Sequence, residues 1–450
     1  MDIGLKQKKI IEISKKLILE DKENSRKKDT ISTLTYFALW GATPGFERIK
    51  FKLFGFKNFI KYFLSILKDI LGLAYFKKMD ILKNKKFDAK KYKNIIFSRS
   101  NYSNFDKKNN YEDRYFLINS KKEKKVLFLL LHADKKKPNK VPKNVILLYI
   151  KKKKLSFIFL LQYLIKKLIK SKFSLRKFLH QTSTFIRTGE LINNFLKKEI
   201  NLKTIKSILI PYEGQPYENI IFSEAKKINK KLITAGYDHS APHSIPIHLT
   251  HRKFSPDILF LNGLSQLHFL NKFLSWPKNK LKLVPSLRYP KTMKQKFDNQ
   301  VFLPYEIFNE STIIRDFKKI LSRHYNNDLR FLKIKNHPLM LNSIKHKKIE
   351  AKLKRIISNY KNKKIPKHKE KTAIFIGPTT GAIVALEKNL KVIHICFDPV
   401  FDSYSQKLWP NLKVTQITQR SFIYKLNKKN SFINFAKSKN CYKKYYEIKK

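Results

Sequence analysis

The chain has 450 residues, of which 42% are hydrophobic, so it can bury the cores of two or three domains and is not a disordered polymer. Its 98 basic and 33 acidic residues give a formal charge of +65 at pH 7. The two cysteines, Cys396 and Cys441, are too few and too far apart for a disulfide framework or a zinc site, which indicates a reducing, cytosolic compartment.

The positive charge admits three interpretations: nucleic-acid binding, attraction to anionic lipid, and a drift of composition toward lysine. Only 13 of the 98 basic residues are arginine, which nucleic-acid readers favour for bidentate contacts. The lysines are also spread along the whole chain. Compositional drift together with a membrane preference is therefore favoured over specific nucleic-acid binding.

Residues 1–90 are predicted to be mostly helical and basic, without recognisable chemistry. No apolar signal-peptide core follows Met1, and no uncharged apolar window reaches the roughly 18 residues of a spanning helix. Residues 51–76 carry four lysines among many aromatic side chains, which fits an interfacial helix lying in the plane of a membrane or an amphipathic helix of the core. Residues 155–169 have a shorter apolar run flanked by lysines.

Residues 91–285 are predicted to form a first α/β domain, because short apolar runs alternate there with helical segments. Continuous apolar runs are typical of parallel strands that are buried on both faces. The predicted strands are residues 94–98, 126–131, 145–150, 207–214 (a strand that ends in a turn), 231–237 and 257–263. A strand, a helix and a second strand over residues 207–237 form a βαβ unit, which implies a parallel sheet.

A proline-marked crossing at residues 276–290 leads to a second α/β domain, predicted at residues 286–425. Its strands are predicted at residues 301–307 and 330–338, and a further βαβ unit at residues 372–396. Residues 426–450 are predicted to be a basic tail, helical or loosely ordered. The expected architecture is an α/β fold of two Rossmann-like domains facing each other across a cleft, with a helical basic N-terminal extension.

Ligands of open parallel sheets bind beyond the carboxyl ends of the strands, and two polar features lie there in the second domain. His337 and Pro338 end one strand. The turn from Gly377 to Gly381 ends another, and its Thr379 and Thr380 precede a helix. We expect both features at neighbouring strand ends of one sheet. Hydroxyls, free N–H groups and the helix dipole suit a phosphate there, although threonine is also a common N-cap.

In the first domain, Glu213 follows a strand and would lie at the crevice between the domains. Its carboxylate could deprotonate a hydroxyl, or it could cap the helix that begins near residue 217. Asp238 and His239, after the next strand, are the rival base or acceptor-binding pair. His132 and Asp134 are weaker candidates on the acceptor side.

Several signatures of other chemistries are absent from the sequence. It contains no D-x-D metal-carboxylate motif, no Walker A or G-x-G-x-x-G loop, no G-x-S-x-G elbow and no zinc spacing. We therefore expect a transfer between two domains that needs neither a metal nor a cofactor.

Three motifs in this order resemble the bacterial surface-polysaccharide glycosyltransferases of GT-B fold, above all their capsule sialyltransferase and Kdo-transferase group: "YEG" at residues 212–214, "HP" at 337–338 and "TT" at 379–380. The string "YEGQPYE" also looks like uncharacterised bacterial surface-carbohydrate biosynthesis proteins. The resemblance covers residues 207–398. It departs from the group at Tyr212, where a second acidic residue is usual, and at the threonine pair, which is often serine.

The resemblance implies Glu213 as general base, His337 as a ligand of the donor nucleotide or its phosphate, and Thr379 and Thr380 as phosphate contacts. It implies an inverting transfer from a nucleotide-sugar, such as a CMP-linked acidic sugar, to a lipid-linked glycan of a capsule or lipopolysaccharide. Such an enzyme is expected in the cytoplasm, peripheral at the inner face of the cell membrane.

Other functions stay open at this point. The charge and residues 51–76 also fit a non-catalytic polybasic protein that binds membrane or nucleic acid. A sugar-nucleotide epimerase could use the same fold. The His-Pro signature also occurs in teichoic-acid polymerases, which transfer glycerol phosphate.

Overall fold

A computed structural model describes residues 2–24, 32–38, 43–152, 157–290, 296–325, 327–360 and 370–436. The chain has an α/β fold with two multi-stranded mixed sheets. The helices are α1 (Ile3–Asn24), α2 (Pro44–Phe54), α3 (Phe59–Gly72), α4 (Phe157–Lys170), α5 (Leu175–Gln181), α6 (Thr184–Glu199), α7 (Pro216–Ile228), α8 (Leu264–Phe273), α9 (Glu310–Arg323), α10 (Ile344–Asn359), α11 (Gly381–Glu387) and α12 (Pro399–Asp402). Within the described ranges, no helix has both the length and the hydropathy needed to cross a bilayer.

The strands lie in both halves of the chain. They are β1 (Phe76–Lys83), β2 (Asn94–Ser100), β3 (Val126–His132), β4 (Val145–Lys152), β5 (Ser207–Pro211), β6 (Ile233–Tyr237), β7 (Ile258–Leu261), β8 (Leu281–Leu283), β9 (Ser286–Pro290), β10 (Gln300–Phe302), β11 (Lys333–Lys335), β12 (Thr372–Ile376), β13 (Lys391–Ile395), β14 (Leu412–Gln416), β15 (Ser421–Leu426) and β16 (Phe435–Ala436).

The first sheet has the order β1-β4-β3-β2-β5-β6-β7-β8, and every pair is parallel except β1 with β4. From β4 to β7 this is the doubly wound order, in which the chain runs outward in both directions from the middle. The inner strands β3 and β5 are almost entirely buried, because α6 and α7 cover one face of the sheet and the loop at residues 111–118 covers the other. The strand order reverses between β2 and β5, which is where such sheets bind ligands.

The second sheet has the order β11-β10-β12-β13-β15-β14, with four parallel strands followed by an antiparallel pair. Its strand order reverses between β10 and β12. The expectation that His337 and Thr379 follow neighbouring strands is wrong, because β10 hydrogen-bonds to both β11 and β12 and lies between them. Both residues still lie at the carboxyl edge of one sheet.

The N-terminal region contributes more than the predicted helices. The edge strand β1 lies within residues 1–90, which were predicted to be mostly helical, and extends the first sheet through antiparallel pairing with β4. Helix α1 packs on α12 of the second half, where the buried Gln7 Nε2 donates to the carbonyls of Val400 (3.1 Å) and Ser403 (2.6 Å). Phe46 of α2 packs edge-on against Phe401, with 4.9 Å between ring centroids.

The start of the predicted tail is ordered and buried. Ser265 N donates to Ser431 O at 2.7 Å, and Phe432 and Ile433 are fully buried in the core. The chain thus returns to the first half, where β16 pairs with β9 in a separate two-stranded sheet. Apolar side chains in this segment make burial favourable, so the prediction of a loosely ordered tail is wrong for residues 427–436. Residues 437–450 lie outside the described part of the chain.

Candidate functional site

A central cleft of about 520 Å³ lies where the carboxyl ends of the strands of both sheets meet. A volume of this size is ordinary for a small-molecule site. It is lined by Tyr36, Ala38, Arg99, Arg114, Tyr115, Glu213, Asp238, His239, Ser240, His243, His248, Arg288, Leu303, Pro304, Tyr305, His337, Pro378, Thr379 and Thr380.

Each sheet contributes to the cleft at the point where its strand order reverses. On the first sheet these residues are Arg99, near the end of β2, and Glu213, just after β5. On the second sheet they are Pro304 after β10 and Thr379 after β12. Two reversal points therefore face one cavity, as expected for a ligand that is held by both halves.

Glu213 is bound by an arginine that the sequence analysis did not single out. Arg99 Nη2 lies 3.0 Å from Glu213 Oε2, and the same guanidinium donates to the Tyr217 hydroxyl at 2.9 and 3.1 Å. Gln215 Nε2 donates to Glu213 Oε2 at 2.6 Å. Burial opposes ionisation of this carboxyl, but Arg99 and the hydrogen bond outweigh it and lower the pKa of Glu213 to about 2.

The turn that carries Glu213 is held by a different carboxylate. Glu218 Oε2 accepts from the backbone N–H groups of Glu213 (3.0 Å) and Gln215 (2.9 Å), and forms a capping box at the start of α7. Glu213 is therefore not the cap of α7, and its side chain faces the cleft. Burial, then repulsion by Glu213, raises the pKa of Glu218 to about 8. Gly214 has φ +66°, and a Cβ there would lie 2.2 Å from the carbonyl oxygen of His248.

Asp238 and His239 lie beside Glu213 in the same cleft. Gln266 Nε2 donates to Asp238 Oδ2, and the backbone N–H of Ser240 donates to Oδ1 at 3.3 Å. Burial raises the pKa of Asp238 to about 7. His239 Nε2 lies 3.8 Å from Glu213 Oε1, while its buried Nδ1 has no hydrogen-bond partner among the described residues. Burial lowers the pKa of His239 to about 3, so its ring is neutral.

The second half contributes hydroxyl and imidazole groups opposite these carboxyls. The ring of His337 packs edge-on against Tyr305, with 5.4 Å between centroids, and burial lowers the pKa of His337. Thr379 Oγ1 accepts from Gly381 N at 3.1 Å, which satisfies one N–H at the start of α11. The Thr380 side chain makes no capping hydrogen bond.

Three residues of the predicted site support the turns and do not line the cleft. Pro338 begins a short 3-10 turn that is closed by Met340 N donating to His337 O at 2.8 Å. Gly377 has φ +67°, and a Cβ there would meet the ring of Phe397 at 2.5 Å. Gly381 starts α11 and packs on Phe375. Their placement follows from backbone geometry, because proline ends strand pairing and glycine permits the left-handed conformation.

Two weaker candidates are not brought into the cleft. His132 is buried, with Nδ1 3.1 Å from Ser100 Oγ and Nε2 2.8 Å from the carbonyl oxygen of Lys136. Asp134 accepts from the backbone N–H of Tyr102 at 2.6 Å. Both side chains organise the loop after β3.

Sequence reasoning missed the arginines of the cleft. Arginine supplies 13 of the 98 basic residues of the chain, yet every Lys or Arg side chain that lines the cleft is an arginine: Arg99, Arg114 and Arg288. The Arg114 guanidinium lies 4.6 Å from the centroid of the Tyr115 ring, and that ring packs on His239. The three arginines are separated in the sequence, so no local motif indicates that they share a site. The small number of arginines in a lysine-rich chain could have identified them as candidates.

Tyr36 and Ala38 were also missed, since residues 1–90 carry no recognisable motif. Tyr36 packs edge-on against Phe185, with 5.5 Å between ring centroids. The polar groups of the cleft suit an anion, because three guanidiniums, several hydroxyls and neutral histidines outnumber its two carboxyl groups, Glu213 and Asp238. In the described ranges, no group of three His, Cys, Asp or Glu side chains is arranged to hold a metal ion.

Comparison with known protein families found none that matches the chain, and comparison with curated proteins found no match either.

Proposed function

We propose that this protein is a glycosyltransferase of GT-B architecture that transfers a sugar from a nucleotide-sugar to a glycan acceptor of a surface polysaccharide. The observation that carries the proposal is the single cleft between two reversal points, lined by arginine, hydroxyl and carboxyl groups. The motifs at Glu213, His337 and Thr379–Thr380 support the same class, because all of them line this cleft.

The donor's phosphate is assigned to the arginine side of the cleft. Arg114 and Arg288 form no ion pair with a carboxylate of the described residues, although Arg114 Nη2 donates to the Tyr115 hydroxyl. Their other guanidinium donors can bind a phosphate. The Thr379 and Thr380 hydroxyls and the His337 ring add hydrogen-bonding groups across the cleft. In the transfer, the bond between the anomeric carbon and the phosphate oxygen breaks, and these groups stabilise the charge on the leaving nucleotide.

The acceptor hydroxyl attacks the anomeric carbon and loses its proton to a carboxylate of the first half. Glu213 is ionised but paired with Arg99, and its low pKa of about 2 makes it a weak base. Asp238, with a pKa of about 7, is better matched to proton transfer near neutral pH. We therefore assign the proton to Asp238. Glu213 holds Arg99 and faces the His239 ring, and its negative charge contributes to the pKa of Asp238.

The acceptor in this proposal is a lipid-linked glycan, and the enzyme works in the cytoplasm at the inner face of the cell membrane. The absence of a spanning helix in the described ranges and the large positive charge are compatible with peripheral attachment to anionic lipid.

The test is nucleotide binding to the purified full-length protein, measured as a thermal shift with CMP, UDP, GDP and CDP. Saturating binding stabilises the folded state, by about 2.7 kcal/mol at one hundred times Kd. Arg288→Lys keeps the charge but loses the planar fork, so we expect nucleotide affinity to fall about tenfold, the equivalent of about 1.4 kcal/mol. Arg355→Lys on the exposed face of α10 is the matched control, and its affinity should be unchanged.

A transfer assay with the preferred nucleotide-sugar completes the test. Product should require both donor and acceptor, and Asp238→Asn or His337→Ala should slow its formation. Consumption of donor without any acceptor would indicate an epimerase instead. If no nucleotide bound at any concentration, the transferase proposal would be wrong.

A further inference from the structure

Two short segments expose a disproportionate share of the apolar surface. Of the 27 large hydrophobic side chains that are exposed in the described part of the chain, 16 lie in residues 54–71 and 157–175. These segments make up less than a tenth of the chain. Exposed apolar side chains concentrated in this way mark interaction surfaces, whereas scattered ones are ordinary.

The exposed side chains form a stripe along α3 and another along α4. In both helices they recur every three or four residues, which is the period of one helical face. On α3 and its approach they are Phe56, Phe59, Ile60, Phe63, Leu64, Leu67 and Leu71. On α4 they are Phe157, Ile158, Leu161, Ile165 and Ile169, and Phe159, which is also exposed, lies to one side of this stripe.

On both helices polar side chains face the interior of the protein, whereas a helix of the core buries its apolar side chains. On α3, Asp69 Oδ1 accepts from the Thr184 hydroxyl at 2.7 Å and from its N–H at 3.2 Å. On α4, the buried Lys167 pairs with Glu190. Thr184 and Glu190 both belong to α6, so α6 holds α3 and α4 on one side of the molecule. Of the two interpretations of residues 51–76, the amphipathic helix of the core is therefore wrong.

The charge around these stripes is positive. Lys57, Lys61 and Lys68 are exposed beside the stripe of α3, and Lys166 and Lys170 beside that of α4. No acidic residue occurs between residues 135 and 189, and Asp69, already bonded to Thr184, is the only one between residues 48 and 79. An apolar stripe bordered by lysine complements an anionic lipid surface.

We propose that α3 and α4 form a docking surface that lies flat on an anionic phospholipid bilayer. Each helix has 14 residues, about 21 Å long, so it is too short to span a hydrocarbon core of about 30 Å but long enough to lie in the headgroup region. The surface is close to the cleft: Phe185, next to Thr184, packs on the cleft residue Tyr36. A protein docked in this way would hold its cleft near a lipid-linked acceptor in the same membrane. This part of the inference rests on the proposed function.

The experiment is co-sedimentation of the full-length protein with vesicles of phosphatidylcholine alone, and with vesicles in which about a third of the lipid is phosphatidylglycerol. The quadruple variant Phe63→Ser, Leu67→Ser, Ile158→Ser and Ile165→Ser removes apolar side chains that insert into the membrane. It should weaken binding at least about a hundredfold. Lys57→Gln, Lys61→Gln, Lys166→Gln and Lys170→Gln should weaken binding to the anionic vesicles alone, by about fivefold per lysine at low salt.

Matched controls come from α10 and the turn before it. Leu341 and Ile344 are 59% and 73% exposed, and Lys345 and Lys348 are exposed beside them. Serine and glutamine at these positions should leave vesicle binding unchanged. Because every substituted side chain is exposed, the thermal midpoint and the nucleotide-induced shift should stay at wild-type values in all variants.

The proposal is overturned if wild-type protein does not sediment with anionic vesicles, or if the α3–α4 variant binds them as well as wild type does. It is also overturned if wild type forms a dimer that the same variant abolishes, since a second copy would then cover the surface. If the protein binds vesicles but no nucleotide, the docking-surface proposal stands and the glycosyltransferase proposal is wrong.

Discussion

Two carboxyl groups in the cleft have pKa values that their surroundings shift in opposite directions. Glu213 lies beside the guanidinium of Arg99, which stabilises its charge. Asp238 is buried, which penalises its charged form, and the negative charge of Glu213 adds to that penalty. Pairs of carboxyls with separated pKa values are typical of sites where one group moves a proton and the other stays charged.

Activity should follow the titration of Asp238. The base must be deprotonated, so we expect kcat/KM for sugar transfer to rise with pH to a plateau above about pH 7. Asp238→Asn should remove this rise and slow transfer about 10²–10⁴-fold, while the nucleotide-induced thermal shift stays.

The variant Glu213→Gln distinguishes Asp238 from Glu213 as the general base. It removes a negative charge that raises the pKa of Asp238, so the rise in the pH–rate profile should move to lower pH. If Glu213 were the base, the wild-type profile would be flat around pH 7, and Glu213→Gln would abolish activity at every pH.

At the scale of residues, the sequence predicted the groups that directly follow apolar strands. Glu213, Asp238, His337 and Thr379 all follow such runs, and all four line the cleft. Arg99 was missed although it directly follows the predicted strand at residues 94–98, because attention went to acidic, histidine and threonine residues; the observed β2 extends to Ser100. Arg114 and Arg288 lie in segments with no motif, and they reach the cleft only through the tertiary fold.

At the scale of elements, the turn between β5 and α7 depends on one glycine. Gly214 combines a left-handed backbone with close approach to the carbonyl oxygen of His248. This contact ties the loop bearing Glu213 to the loop after β6. A side chain at Gly214 would force the two loops apart.

Gly214→Ala should therefore lower the free energy of unfolding by more than about 3 kcal/mol, since it adds a steric clash to the roughly 1–2 kcal/mol of left-handed strain. Gly55 is the control without a clash: its backbone, at φ +74° and ψ −160°, also favours glycine, but a Cβ added there would meet no atom beyond its chain neighbours within 4 Å. Gly55→Ala should cost only the backbone strain. Urea denaturation compares the two, and equal losses would refute a steric role for the His248 contact.

Most strands could be predicted from apolar runs: the runs at residues 126–131 and 145–150 correspond to β3 (Val126–His132) and β4 (Val145–Lys152). The order of the strands could not, because pairing is set by contacts between distant segments. Nothing local to residues 300–302 indicates that β10 lies between β11 and β12. The edge strand β1 was missed because its lysines are typical of a basic helix and also protect a sheet edge.

At the scale of the whole molecule, the two halves share one apolar core. It runs from Ile10 of α1 through the first sheet to Trp409 and Phe432 in the second half. Trp409 Nε1 donates to Ser244 O at 2.8 Å, and the Tyr404 hydroxyl donates to Pro242 O at 2.7 Å. The geometry of the cleft is therefore tied to the packing of both halves.

Gln7→Ala should weaken that packing, because it leaves the carbonyls of Val400 and Ser403 without their donor. We expect a loss of about 1–3 kcal/mol, which differential scanning calorimetry would record as a lower midpoint. The exposed Gln416→Ala is the control and should leave the midpoint within error. An unchanged midpoint in Gln7→Ala would mean that α1 does not stabilise the second half.

The docking of α1 on α12 also constrains how the protein is made. The two hydrogen bonds of Gln7 join residues 393 and 396 positions apart in the chain. At about 5–20 residues per second, the ribosome needs about 20–80 s to add the partners of a helix that emerged first. Throughout that interval the apolar side chains of α1 are without their final neighbours, so a chaperone that holds this helix should raise the yield of folded protein.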